Sequence, residues 1–292
     1  QYLRDELCQF PDFEKGDILS KTFPDGEYYY KIENEVQNRE IILIGGTVSE
    51  KDTLEIYDLA CGLVGYGIKK LQIIIPFYGY STMERAVKHG EIVTAKTRAR
   101  LLSSIPPAYF GNQIILVDLH VPGLQHYFEG SVQRLHLYAK PLIIASAREL
   151  ATDFVLASTD AGRAKWVESL ANDMGVDAAF VYKRRSSGSQ TEITGINADV
   201  KNRTVIMYDD MIRTGGSLIN AAQAYKNAGA KEVYVIATHG IFPNNAIKRI
   251  QDSGLIKQVV VTNSHPNALR DESEFLKVKS LIPILHKPLK MD

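Results

Sequence analysis

Cys8 and Cys61 are the only cysteines in the chain. Two thiols exclude a disulfide framework and a zinc site of paired cysteines, and they suit a reducing compartment. Net charge is absent as well, since 34 basic residues balance 34 acidic ones. No global field therefore draws the chain to nucleic acid or to an acidic membrane. Apolar runs are short, and none reaches the roughly 18 residues that a membrane span requires. No secretory signal pattern opens the sequence. The expectation is a cytoplasmic protein that meets neither membrane nor nucleic acid. With 45% hydrophobic and 23% charged residues over 292 positions, the composition is that of one large or two modest globular domains.

Short apolar runs recur at Ile41–Ile44, Leu71–Ile75, Ile114–Val117, Phe154–Ala157, Val205–Met207 and Val233–Ala237. Longer, helix-like stretches separate them. That alternation predicts an α/β fold with parallel sheets covered on both faces. The segments from Ile41 and from Thr204 share one order: strand, polar glycine loop, helix, a closing Gly67 or Gly229, then strand. The repeat predicts two similar domains, 1–141 and 142–292, with the boundary near Lys140 to Leu142.

The sharpest motif is VIMYDDMIRTGGSL, Val205 to Leu218. An apolar strand delivers Asp209 and Asp210. Arg213, Thr214, Gly215, Gly216 and Ser217 then lead into a helix. Glycines let backbone N–H groups approach a phosphate, hydroxyls add donors, and a helix N-terminus favours an anion. Paired aspartates suit sugar hydroxyls, or a cation through water. STDAGRAKWV, from Ser158, repeats this plan with Asp160, Ala161, Gly162 and Arg163 ahead of a helix. Asp118 and His120 stand two apart at a strand end, so they face the same side. A neutral imidazole is a reasonable ligand for a divalent cation. Lys183, Arg184 and Arg185 precede the polar stretch SSGSQT, the pattern of a basic lid. The remaining histidines read as ordinary structural residues.

The Val205 string resembles the PRPP-binding loop of type I phosphoribosyltransferases. Further blocks narrow the resemblance to PRPP synthases, the ribose-phosphate diphosphokinases. FPDGE (Phe23–Glu27), IPFYGY (Ile75–Tyr80), GEIVTAK (Gly90–Lys96), VDLH (Val117–His120), STDAG (Ser158–Gly162), YKRR (Tyr182–Arg185) and THGIF (Thr238–Phe242) follow in that family's order. The resemblance implies two tandem phosphoribosyltransferase-like domains, each a mainly parallel twisted sheet flanked by helices, with the active site at their junction. It implies Mg2+-dependent transfer of the β,γ-diphosphoryl group of ATP to ribose 5-phosphate, in a homo-oligomer. By the same resemblance, His120 and Asp160 are metal ligands. Phe23, Asp25, Glu27, Met83 and Arg85 bind nucleotide. Asp160 to Arg163 bind diphosphate, and Asp209, Asp210 and Arg213 to Ser217 bind ribose phosphate. Lys183 and Arg185 stabilise charge on the transferring phosphoryl group.

Several positions depart from the family pattern. Ser81, Thr82, Met83, Glu84 and Arg85 replace a bacterial-type string whose Arg and Gln contact ATP, and they resemble the plant-type class II enzymes instead. That class implies looser choice among nucleoside triphosphates, and Met83 offers packing without base-edge readout. Arg163 stands where a second glycine is usual, Thr159 where proline is usual, and Ser217 where threonine is usual. Arg213 replaces an aspartate beside the 5-phosphate cradle, which raises a larger acceptor such as ADP-ribose as an alternative to ribose 5-phosphate. A non-catalytic subunit associated with a PRPP synthase is a further alternative, opposed by the retained His120, Asp160, Lys183, Arg185 and aspartate pair.

Overall fold

The computed structural model describes residues 1–185 and 191–289. Two compact units divide the chain: Gln1–Tyr138 with Leu285–Asp292, and Ala139–Ile284. The division falls at Tyr138/Ala139 rather than 141/142, and the last residues count with the first unit, whereas the repeat places them in the second domain.

The first unit opens with helix α1 (Tyr2–Leu7) and an antiparallel hairpin, β1 (Ile18–Thr22) and β2 (Tyr28–Ile32). There follow β3 (Glu40–Ile44), α2 (Glu50–Gly65), β4 (Lys70–Ile75), α3 (Thr94–Ser103), β5 (Asn112–Val117) and β6 (Gln133–Leu137). Strands β3-β4-β5-β6 lie side by side, all parallel. The middle strands read as continuous apolar runs because both faces are covered, and Ile73, Ile74 and Ile75 are all fully buried. Helix α2 starts on a capping box, in which Ser49 and Asp52 satisfy each other's backbone N–H groups.

The second unit contains α4 (Lys140–Leu150), β7 (Val155–Ser158), α5 (Ala164–Met174), β8 (Asp177–Ala179), β9 (Val181–Arg185), β10 (Thr191–Ile196), β11 (Thr204–Ile212), α6 (Gly216–Asn227) and β12 (Glu232–Gly240). It continues through α7 (Ala246–Asp252), β13 (Gln258–Thr262), α8 (Pro266–Arg270) and β14 (Leu276–Lys279); the last helix, α9 (Ile282–Leu289), runs across the division. The six-stranded sheet, β14-β13-β12-β11-β7-β8, is parallel throughout, while β9 and β10 form a separate antiparallel pair. Among the described residues, no helix is long and apolar enough to cross a membrane.

The internal repeat extends to individual hydrogen bonds. In the first unit Arg39 N–H donates to Val36, Asn38 N–H to Gly67, and Lys69 N–H to Arg39. In the second, Arg203 N–H donates to Val200, Asn202 N–H to Gly229, and Lys231 N–H to Arg203. Asn38 and Asn202 take the left-handed conformation at φ 58° and 59°, which asparagine tolerates better than most residues. The two βαβ segments are thus the same device built twice.

Candidate active site

In the second sheet the chain leaves β7 through α5 to reach β8 on one side, and leaves β11 through α6 to reach β12 on the other. Strands β7 and β11 are neighbours, with Ser158 beside Tyr208. This is a topological switch point, where two diverging connections open a crevice at the carboxyl ends of the strands. Both glycine-containing loops singled out in the sequence start there.

The β11 side carries the acidic pair. β11 continues to Ile212, beyond the apolar Val205–Met207 run, so Asp209 and Asp210 lie on the strand itself. Asp210 is buried and Asp209 half-buried. Asp209 Oδ1 accepts the Asp210 N–H at 2.9 Å, and its Oδ2 accepts the Thr159 hydroxyl at 2.8 Å. Burial, then the neighbouring Asp210, push the Asp209 carboxyl well above its usual range, against the pull of Thr159 and Arg163. Beyond the strand, Arg213, Thr214, Gly216 and Ser217 are exposed around the start of α6. Gly215 caps that helix at φ 79°, and a Cβ there would come within 2.6 Å of the Ile250 side chain. Arg249 Nη2 donates to the Thr214 carbonyl at 2.6 Å, so α7 holds the loop at two points.

The β7 side carries the second loop. Ala161–Arg163 form a single 3-10 turn ahead of α5. Asp160 Oδ1 accepts the Gly162 N–H at 2.9 Å, and a Cβ on Gly162 would sit 3.1 Å from that oxygen. The glycine keeps the aspartate folded over its own loop. Arg163 Nη2 lies 2.6 Å from Asp210 Oδ1, and Nε 3.9 Å from Asp209 Oδ1. Behind the sheet end, the buried Tyr225 of α6 donates to the Ser158 carbonyl at 3.0 Å. That bond ties one loop's helix to the other loop's strand. Lys183 and Arg185 lie on β9, a strand that packs beside the Ala161–Arg163 turn. Their side chains, and 186–190 entirely, fall outside the described residues.

In the first unit Phe23, Asp25 and Glu27 form the exposed tip of the β1–β2 hairpin, closed by the Gly26 N–H on Phe23 O and the Phe23 N–H on Glu27 O. Met83 is 39% exposed, so it does not fill the core, and Arg85 is exposed beside it. The same-face reading of Asp118 and His120 fails. β5 ends at Val117, and Asp118 turns to φ 38° with its N–H on Leu137 O, so strand alternation stops before either residue. Asp118 is buried and His120 half-buried. Between them the Leu119 N–H donates to His136 Nε2 at 3.0 Å. Sequence reasoning missed Thr159, Tyr225, Arg249 and His136 as site supports. Their partners are distant in the chain, and only the unusual Thr159 carried a local signal.

Comparison with known proteins agrees with this layout. Residues 1–105 match the N-terminal domain of ribose phosphate pyrophosphokinase, and residues 160–284 match the phosphoribosyl synthetase-associated domain. The chain is 30% identical to a ribose-phosphate pyrophosphokinase of Caldanaerobacter subterraneus subsp. tengcongensis, over 97% of this chain and 88% of that one. It is also 30% identical to one from Fusobacterium nucleatum, over 96% and 87%. The crystal structure of phosphoribosylpyrophosphate synthetase from Mycobacterium smegmatis superposes with a TM-score of 0.86 at 28% identity, covering 99% of this chain and 94% of that one. With its motifs, its duplicated βαβ device and these relatives in agreement, the chain belongs to the ribose-phosphate pyrophosphokinase family.

Proposed function

We propose that Asp209 and Asp210 receive the hydroxyls of ribose 5-phosphate, that Arg213 to Ser217 receive its 5-phosphate, and that Asp160 to Arg163 receive the diphosphate in transit. The reaction is transfer of the β,γ-diphosphoryl group of ATP to O1 of ribose 5-phosphate, giving PRPP and AMP. As the O1–Pβ bond forms, the bond from Pβ to the α,β-bridging oxygen breaks. Its electron pair leaves on AMP, and the O1 proton passes to solvent.

The observation that carries this reading is the switch point, where β7 and β11 bring an acidic pair and two anion-receiving loops to adjacent strand ends. The exposed hydroxyls of Thr214 and Ser217 and the amides at the start of α6 supply donors for a phosphate. Lys183 and Arg185 bring positive charge to β9, and phosphoryl transfer needs chiefly positioning and electrostatic stabilisation. Asp160 suits Mg2+, because a carboxylate is the hard oxygen donor this ion takes and the Gly162 N–H already orients it. By the family resemblance His120 is a further metal-ligand candidate, in the first unit. Bound at Asp160, Mg2+ would neutralise charge on the phosphate oxygens. Phe23 and Met83 give the nucleotide base exposed surfaces for stacking and packing.

An AMP-release assay with ribose 5-phosphate and ADP-ribose in parallel tests the reading. AMP formed with ribose 5-phosphate supports it. AMP formed only with ADP-ribose moves the reading to the larger acceptor, and none with either overturns it.

A further inference from the structure

Arg163 stands at the end of the β7 loop, yet its guanidinium points across to the carboxylates of β11. Nη2 meets Asp210 Oδ1 at 2.6 Å, and Nε lies 3.9 Å from Asp209 Oδ1. The Arg163 side chain is 19% exposed and that of Asp210 only 5%. The contact is therefore sheltered, and charge-assisted hydrogen bonds of this kind are short and strong. It also follows from the sequence. Two adjacent carboxylates, one of them buried, repel each other, and a guanidinium between the strand ends offsets the repulsion.

The same carboxylate oxygens are the acceptors that the proposed function assigns to the ribose hydroxyls, and this inference rests on that reading. A sugar diol that reaches them must displace or share a planar donor fork. Arg163 also closes the Ala161–Arg163 turn, so a diphosphate on that turn competes for the same guanidinium. A diphosphate carries more charge than one carboxylate and accepts the fork bidentately.

We propose that Arg163 is a two-position cation that couples the subsites: one position is the observed contact with Asp210, the other is on a bound diphosphate, and the move from the first to the second frees the acidic pair for the acceptor sugar. Arg163 is then a specificity-determining residue that makes acceptor binding depend on the donor group. A site with glycine at this position has no such link. The coupling is reciprocal, so ribose 5-phosphate must strengthen diphosphate binding by the same factor.

Calorimetric titration of ribose 5-phosphate and of inorganic pyrophosphate, each alone and each in the presence of the other, tests this without turnover. For the wild type, each ligand is expected to tighten the other about 5-fold or more. In Arg163→Met, ribose 5-phosphate alone binds about 5-fold or more tighter, because the acceptors are already released. Pyrophosphate alone binds about 10-fold or more weaker, having lost a charged hydrogen-bond donor, and the mutual effect disappears. A merely structural role would weaken both ligands together. Because Met leaves a sheltered carboxylate without its guanidinium, Arg163→Lys is titrated beside it. Lysine keeps the charge and loses the fork, and both affinities shift in the same directions by smaller factors. Circular dichroism and thermal melting establish that each variant is folded. Ribose 5-phosphate affinity unchanged or weakened in both folded variants overturns the inference while leaving the proposed reaction standing. Wild-type protein that binds nucleotide but no ribose 5-phosphate overturns the functional reading, and this inference with it.

Discussion

Gly215 offers a quantitative test of how the loop ahead of α6 is held. The residue sits at φ 79°, and an added Cβ would meet both Cγ1 and Cδ1 of Ile250 at 2.6 Å. Ile250 is fully buried on α7 and cannot swing into solvent. For Gly215→Ala, the left-handed backbone costs about 1 kcal/mol. The overlap must be relieved by roughly 1 Å of movement in packed surroundings, which costs about 1–3 kcal/mol. The expected loss is about 2–4 kcal/mol. Ile250→Ala alone leaves a cavity and costs about 2–5 kcal/mol. In the double variant the new methyl enters space vacated by the isoleucine, so the overlap vanishes and part of the cavity fills. The two losses should then fall short of additivity by about 1–3 kcal/mol. Urea unfolding followed by Trp166, the only tryptophan and one that lies in this unit, reads the cycle directly. Losses that add to within about 0.5 kcal/mol would show that Ile250 does not set the loop's geometry, and the argument from close approach would be wrong.

The other expectations bear on catalysis, donor choice and pH. Lys183→Ala and Arg185→Ala should each lower turnover by about 10²–10³ with the fold intact; activity within about threefold of wild type for both removes their electrostatic role. GTP and CTP should support transfer within about 100-fold of ATP, since Phe23 and Met83 offer only stacking and packing, and a preference above about 10⁴ in kcat/KM would mean that polar groups read the adenine edge. Burial pushes the His136 imidazole down to about 4, and its Nε2 accepts the Leu119 N–H, which keeps it neutral. Between pH 6.5 and 4 the unfolded chain takes up a proton that the native one refuses, so stability falls as pH drops through that window and is unaffected above it. Discounted for partial exposure, the loss is about 1–2 kcal/mol. Unfolding of wild type and His136→Asn at pH 7 and at about pH 4.5 checks it, and an equal drop in both proteins refutes it.

What the sequence made legible follows from which signals are local. The apolar runs located β3, β4, β5, β7, β11 and β12, because buried parallel strands need continuous hydrophobic sequence. β6, β8 and β14 carry QRLHL, DAA and LKVK, too short or too polar to stand out alone. β11 outruns its apolar stretch because β12 runs beside it, pairing Met211 with His239 and Ile212 with Gly240. Tertiary pairing, not hydrophobicity, set that boundary. The same-side reading of Asp118 and His120 fails because the strand ends at Val117 and Asp118 turns to a positive φ. The repeat was visible in the glycines, yet VQNR and VKNR, which set up identical turns before β3 and β11, lie just outside the two segments that show it.

The two loops of the second unit solve one problem by different means, and the difference explains which parts the sequence revealed. Ahead of α6 the donors are backbone amides and hydroxyls. Such a cradle needs glycine where φ is positive and small polar residues around it, so the string RTGGS declares it. Ahead of α5 there is a single glycine, and the strongest donor is the Arg163 side chain. A side chain reaches several ångströms from its own loop, and its resting partner is chosen by the fold. Arg163 therefore reads in sequence as a departure from pattern. In the structure it joins the Ala161–Arg163 turn to the carboxylates of β11. An amide cradle holds whatever anion fits, whereas a cation already paired with a carboxylate serves an anion only by leaving or sharing that partner. Under the coupling we propose, arginine in place of glycine at this position turns a passive cradle into one that links the two loops.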